Sequence, residues 1–165
     1  MRASGQIDIF LQPGEYFLAD ANYRICTLLG SCVSITLWHP RLRVGAMSHF
    51  LLSSRPTPPA GQPNAHYGDE ALWLMAQELD KAKVPLKQCE AKIFGGGNMF
   101  PKQLRGGAGN IGQQNGETAR RLLRQYQIPV VSESLFGVGH RKIIFNVGTG
   151  HVWSRQMKLL ETGAP

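Results

Sequence analysis

The sequence predicts a mixed α/β or α+β domain rather than a regular doubly wound sheet, on three observations. Strand-like segments are interleaved with helical ones, adjacent strands lie close enough in sequence to form antiparallel hairpins, and no internal repeat is present. Residues 7–11 and 24–29 read as short strands, the first ended by Pro13 and Gly14. Residues 33–38 alternate, with Val33, Ile35 and Leu37 on one side and Ser34, Thr36 and Trp38 on the other, the pattern of a half-buried strand. A turn at His39, Pro40, Arg41 and Leu42 leads into a second extended stretch over 43–52. Residues 53–65 contain four prolines and little that packs, which predicts a mobile surface loop able to act as a lid. Asp69 is placed to cap a helix carrying Leu72, Met75, Ala76 and Leu79 at helical spacing and fading before Pro85. Ala119, Leu122, Leu123 and Tyr126 form the stripe of a second helix laid on a sheet. Further strands are expected at 91–94, running into Gly95, Gly96 and Gly97, and at 129–131, 142–147 and 151–154.

Composition narrows the class. A chain of 165 residues suits one domain spanning 1–165, and with 42% hydrophobic and 18% charged residues it has enough apolar material to fold. Residues 1–9 lack the apolar core of a secretory signal, and no run approaches the ~18 apolar residues of a membrane span, so a cytoplasmic protein without membrane insertion is expected. Cys26, Cys32 and Cys89 are too few and odd in number for a disulfide framework. The net charge of +7 is scattered, with small groups at Arg120, Arg121 and Arg124 and at Arg141 and Lys142, and favours capture of an acidic partner. No aromatic RNA-binding signature, zinc-finger spacing or long basic helix points to nucleic acid. His39, His66, His140 and His151 show no metal-ligand spacing, and no lysine with serine or threonine follows Gly95–Gly97 as in a phosphate loop, so no metal and no cofactor are expected.

A hairpin centred on Pro40 and Arg41, with facing residue numbers summing to 81, aligns Ile35 with Ala46 and Leu37 with Val44 on one face. On the other it sets Cys32 directly across from His49, with Cβ atoms about 4.5–5.5 Å apart. An imidazole at that distance can take the proton of a thiol whose ordinary pKa is ~8.5 and make it a nucleophile. Gly30 and Ser31 allow a tight turn whose N–H groups could face an oxyanion. The pairing alone leaves two readings open, a catalytic dyad or two side chains filling a sheet.

LGSCV at residues 29–33 followed by GAMSHF at 45–50 closely resembles the signature of the CheD family, the chemoreceptor glutamine deamidases. AKIFGGGNMF at 91–100, NIGQQN at 110–115, GVGHRKIIF at 137–145 and finally Thr149 and Gly150 match in family order, so the resemblance spans roughly residues 12–155, the expected core of the domain. It implies a layered α/β sandwich similar to deamidating bacterial toxins, with a cysteine, histidine and threonine triad. Cys32 and His49 match nucleophile and base. Thr27 matches the third member by type, whereas strict counting from the cysteine in some members would place it at Cys26. The implied reaction converts receptor glutamines to glutamate with release of ammonia, and the same machinery would serve receptor methyl esters. The implied partners are the helical bundle of a chemoreceptor and a CheC-type phosphatase, with the enzyme a monomer. Asn98 is a candidate for hydrogen bonding to substrate or for an ordinary turn, and His66 and Tyr67 are by default solvent-exposed loop residues, which the resemblance would put near the substrate entrance. Two rival readings are a non-catalytic receptor- or phosphatase-binding adaptor and a thiol redox protein. The five-residue gap between Cys26 and Cys32 is not that of a dithiol enzyme.

Overall fold

The computed structural model describes residues 5–56, 61–101 and 110–157. Nine strands and two helices follow one another as β1 (Ile7–Phe10), β2 (Tyr16–Ala19), β3 (Tyr23–Leu29), β4 (Val33–His39), β5 (Val44–Ser48), α1 (Gly68–Lys81), β6 (Glu90–Gly95), α2 (Ile111–Gln125), β7 (Val130–Leu135), β8 (His140–Asn146) and β9 (Val152–Met157) among the described residues. The strands form a five-stranded sheet in the order β2-β5-β4-β6-β7 and a four-stranded sheet in the order β1-β3-β8-β9. β1–β3 and β6–β7 are parallel and the other pairs antiparallel, giving the mixed α/β class.

Two apolar clusters define the layers. One joins Leu72, Met75 and Leu79 of α1 and Ala119, Leu122 and Leu123 of α2 to Val33, Ile35, Leu37 and Ile93 of the larger sheet. The second joins Met47 and Phe94 of that sheet to Ile25, Leu29, Ile143 and Phe145 of the smaller one. Helices, five strands and four strands therefore stack as three layers, and the central strand β4 is covered on both faces. This corrects the half-buried reading of residues 33–38: Ser34 and Thr36 face the second sheet, not water, and are fully buried. Small hydroxyl side chains produce the same polar alternation whether they face solvent or a tightly packed neighbouring sheet.

The hairpin register also differs from expectation. His39 pairs with Val44, Trp38 with Gly45, Leu37 with Ala46 and Thr36 with Met47, so facing numbers sum to 83 rather than 81. The reason lies in Pro40. A two-residue hairpin turn needs positive φ at its first central residue, which a proline ring forbids. The chain instead spends four residues, 40–43, with Arg43 at φ 54°, its N–H bonded to the His39 carbonyl at 2.8 Å, and the Leu42 N–H bonded to His39 Nδ1 at 3.0 Å. Because the slip is two residues, every side chain keeps its face.

Other boundaries shift for local reasons. The stretch predicted as extended over 43–52 leaves the ladder after Ser48, with Phe50 and Leu52 making only isolated bridges. α1 begins at Gly68, capped by Tyr67 without a side-chain bond, so Asp69 sits in the first turn instead of the cap. α2 begins at Ile111, and β2 was not foreseen. Of the proline-rich loop, residues 57–60 lie outside the described residues. Its described flanks are tied down, Arg55 pairing with Glu70 at 2.6 Å and Asn64 N–H bonding to the same carboxylate at 2.9 Å. Arg120 and Arg141 are not free surface cations either: Arg120 pairs with Glu133 and Glu117, and Arg141 is buried.

Close approach of the two sheets fixes one residue type. A Cβ on Gly45 would lie 2.7 Å from the Leu37 carbonyl oxygen and 2.8 Å from the Phe145 ring. Gly45→Ala is therefore expected to destabilise the protein by about 1–3 kcal/mol, read as a lower urea midpoint at unchanged slope.

Candidate functional site

The side-chain parity of β5 determines what the site contains. Gly45 and Met47 point between the sheets, and His49, one residue beyond the strand, continues that alternation. Its backbone is held by the β2 side, with its N–H bonded to the Glu15 carbonyl at 3.1 Å and its carbonyl accepting from Gly14 N–H at 2.8 Å. On β3, Ile25, Thr27 and Leu29 point inward to the same layer, and Cys26 points outward, opposite Phe10 and Ile144. The two parities meet at Thr27 and His49, which are joined by a buried contact of 2.8 Å between Thr27 Oγ1 and His49 Nδ1.

That contact has a determinate direction. Thr27 Oγ1 also lies 2.8 Å from the Leu11 carbonyl, which can only accept, so the single hydroxyl proton goes there. Nδ1 of His49 must then carry the proton and donate to Thr27, leaving Nε2 with a free lone pair. Burial pushes His49 down to about 4, so the ring is neutral at physiological pH.

Cys32 follows β3 across the turn at Gly30 and Ser31 and lies on the same inner side of β4 as Ser34 and Thr36. In the observed register it is diagonal to His49, not directly across, and Ser34 takes the facing position. Among the described residues the thiol makes no hydrogen bond, and burial pushes it up to about 11. Thiol and imidazole therefore share a face as two neutral groups rather than as a preformed ion pair.

The turn before Cys32 is gripped through its carbonyls. Gly97 N–H bonds the Gly30 carbonyl and Gly96 N–H bonds that of Cys32, both at 2.9 Å. Gly95, at φ 115°, comes so close that a Cβ would lie 2.2 Å from the Cys32 carbonyl oxygen. The glycine run thus packs against the cysteine turn. Gly30 itself has no positive φ. Asn98 makes a turn, its Oδ1 accepting from Phe100 N–H at 2.9 Å, and it also lines a cavity of about 370 Å³ with Gly96, Gly97, Gln113 and Phe136. His66 is exposed, with its ring against Gly14, next to the His49 carbonyl bond. Among the described residues no three His, Cys, Asp or Glu side chains are grouped to hold a metal ion.

The sequence matches the family described as CheD chemotactic sensory transduction over residues 51–156. It is 62% identical over 162 residues to the probable chemoreceptor glutamine deamidase CheD 2 of Albidiferax ferrireducens, covering 98% of this chain and 94% of that one. The chain belongs to the CheD family. Two further CheD proteins, probable chemoreceptor glutamine deamidase CheD 3 of Dechloromonas aromatica and CheD 1 of Chromobacterium violaceum, are 43% and 39% identical over 88% and 93% of this chain and 85% and 79% of theirs. The family match begins after His49, whereas the similarity to the first of these relatives, at 98% coverage, takes in Thr27, Cys32 and His49 as well.

Sequence reasoning missed two buried polar residues that border the candidate site. Asn115 lies in the NIGQQN segment and is 1% exposed, bonded to the Ser31 and Leu51 carbonyls. Arg141 is 2% exposed and donates to the Gly95 and Phe136 carbonyls, both at 2.6 Å. A polar residue in a stripe of helical spacing was the available signal for Asn115, and the shared parity of Arg141 with Ile143 and Phe145 was the available signal for the arginine.

The depressed His49 has a testable sign. Its folded value lies below the ordinary 6.5, so the unfolded chain binds the extra proton first and stability is lost as pH falls from about 6.5 to about 4. The loss attributable to this residue should approach about 3 kcal/mol, measured as the difference in urea unfolding between wild type and His49→Gln across that range. Alkylation of Cys32 by iodoacetamide should keep rising with pH beyond 9 instead of reaching a plateau near neutrality.

Proposed function

We propose that this CheD chain is a glutamine deamidase acting on chemoreceptors, in which Cys32 is the nucleophile, His49 the general base and acid, and Thr27 the residue that orients the imidazole. The observation that carries this reading is the Thr27–His49 bond, which supports an Nδ1–H tautomer with Nε2 unprotonated on the inner face that Cys32 shares. The names of the relatives supply the substrate class.

Attack begins with transfer of the Cys32 proton to His49 Nε2 as sulfur adds to the carboxamide carbon of a substrate glutamine. Proton transfer and addition are coupled, because neither a thiolate nor an imidazolium is stable in the buried resting site. The carbonyl oxygen takes the displaced electron pair, with the N–H groups of Ser31 and Cys32 as its proposed donors and Gly30 shaping their turn. His49 returns the proton to the amide nitrogen, the carbon–nitrogen bond breaks, and ammonia leaves a thioester. Water, deprotonated by His49, adds to the thioester, and expulsion of the sulfur, which recovers the proton, yields glutamate. The ester of a methylated receptor glutamate would pass through the same two steps with methanol as leaving group. Asn98, on the rim of the adjoining cavity, is a candidate to bind substrate through its amide nitrogen.

The partner reading follows from charge. A chemoreceptor helical bundle rich in Glu and Gln is acidic, and this chain carries a net +7. We take the enzyme to be a cytoplasmic monomer with a CheC-type phosphatase as a second partner. Among the described residues no helix is long and apolar enough to cross a membrane.

The deciding experiment is deamidation of a receptor cytoplasmic fragment, followed by mass mapping of glutamine to glutamate. Cys32→Ala should abolish conversion while the thermal melt stays near wild type, and Cys26→Ser and Cys89→Ser should retain most activity. Turnover by Cys32→Ala at more than a few per cent would refute covalent catalysis here. Raising salt from 0.1 to 1 M shortens the screening length from ~10 to ~3 Å and should raise KM for the fragment with kcat nearly constant.

A further inference from the structure

Cys32 sits at the end of a turn whose three successive carbonyls are all held. Main-chain N–H groups of Gly97 and Gly96 hold those of Gly30 and Cys32. The carbonyl between them, Ser31, is held by a side chain: Asn115 Nδ2 donates to it at 3.1 Å and donates its other proton to the Leu51 carbonyl at 2.8 Å. Asn115 Oδ1 accepts from the Ser53 hydroxyl at 3.2 Å, so all the capacity of this buried amide that the turn can use is committed.

The consequence follows from peptide planarity. In a trans peptide the carbonyl and the next N–H point in opposite directions. Drawing the Ser31 carbonyl toward α2 turns the Cys32 N–H away from the helix. Among the described residues neither Ser31 N–H nor Cys32 N–H donates to an acceptor, whereas Val33 N–H is bonded to the Phe50 carbonyl. The N–H groups left over are those beside the thiol. The second bond, to Leu51, lies two residues beyond His49, so one side chain braces the cysteine turn against the segment that carries the base.

We infer that Asn115 is a positioning residue for catalysis, holding the Ser31–Cys32 peptide so that its N–H faces the developing oxyanion. It touches neither substrate nor the reacting atoms. The inference rests on the reading of Cys32 as nucleophile.

The test compares two reactions of the same thiol in the full chain. Deamidation of a receptor cytoplasmic fragment needs an oxyanion donor, and alkylation of Cys32 by iodoacetamide, followed by peptide mapping, needs none. Asn115→Ala should lower kcat about 10²-fold, the cost of losing one oxyanion donor, with KM and the alkylation rate within about threefold of wild type. Asn115→Leu, of closer volume, should behave alike if the smaller variant is unstable. Ser53→Ala removes Asn115's third contact without touching either carbonyl and should keep kcat within about twofold of wild type. A folded Asn115 variant with undiminished kcat overturns the inference. So do kcat and alkylation falling together, an equal loss in Ser53→Ala, or failure of both Asn115 variants to fold. Cys32→Ala run alongside separates the two levels: if it stays active the nucleophile assignment fails, and if it is dead while the Asn115 variants are active only the positioning role fails.

Discussion

The hydrogen bond between Thr27 and His49 bridges two separate sheets, and most of the architecture can be understood as what places its ends 2.8 Å apart. Thr27 belongs to the four-stranded sheet and His49 follows β5 of the five-stranded one, so their separation is set by how closely the sheets pack. That spacing is set in turn by Met47, Phe94, Ile25, Leu29, Ile143 and Phe145, and by Gly45, where the Phe145 ring occupies the place of a side chain. A bulkier residue in this layer would lengthen the bond before it exposed any surface. The Leu11 carbonyl, just past β1, completes the arrangement by taking the threonine proton and so deciding which imidazole nitrogen remains basic. Fold and tautomer are linked through a single hydroxyl.

Burial that fixes the geometry also works against ionisation. It lowers His49 and raises Cys32, moving the two groups apart on the pH scale until a resting ion pair is disfavoured. A site of this kind keeps its thiol unreactive toward bulk electrophiles and oxidants, since the thiolate is the reactive form. Under the proposed mechanism such a thiol would react when a substrate carbonyl arrives to share the charge.

The sequence was most legible where periodicity carried the signal. The helical stripes, the strand spacing and the shared face of Cys32 and His49 came from patterns of 3.6 and 2 residues, and the last survived a wrong register because a two-residue slip preserves faces. Register itself was misread because the turn at Pro40 was treated as the shortest available, although a proline cannot take the φ which that turn demands. Ser34 and Thr36 were misread because polarity reports what a side chain is, not what lies opposite it. β2 escaped notice because Tyr16, Phe17 and Leu18 show no alternation and are only partly buried. Thr27 was preferred to Cys26 by residue type alone, and its inward parity on β3 and its contact with His49 could not be read from the sequence. The buried faces of Asn115 and Arg141 follow from spacing, but their roles do not, because their partners are backbone carbonyls distant in sequence and a carbonyl leaves no trace in residue identity.

Arg141 shows what such a contact provides against its cost. Its guanidinium is buried, and among the described residues no carboxylate pairs with it and its Nε has no partner. Burial lowers its affinity for the proton, yet a guanidinium remains charged, so the penalty is borne as desolvation. In exchange it spans two carbonyls, that of Gly95, the last residue of β6, and that of Phe136, the residue after β7. Those strands run parallel and stop together, and the glycines following β6 must leave the sheet at once to reach the Gly30 and Cys32 carbonyls. A planar fork can hold two diverging carbonyls from one side, whereas a lysine ammonium, a point charge on a flexible stem, would not fix their relative direction. The free energy spent on burying this cation is therefore spent on the direction of the glycine turn, and through that turn on where the two N–H groups beside Cys32 point.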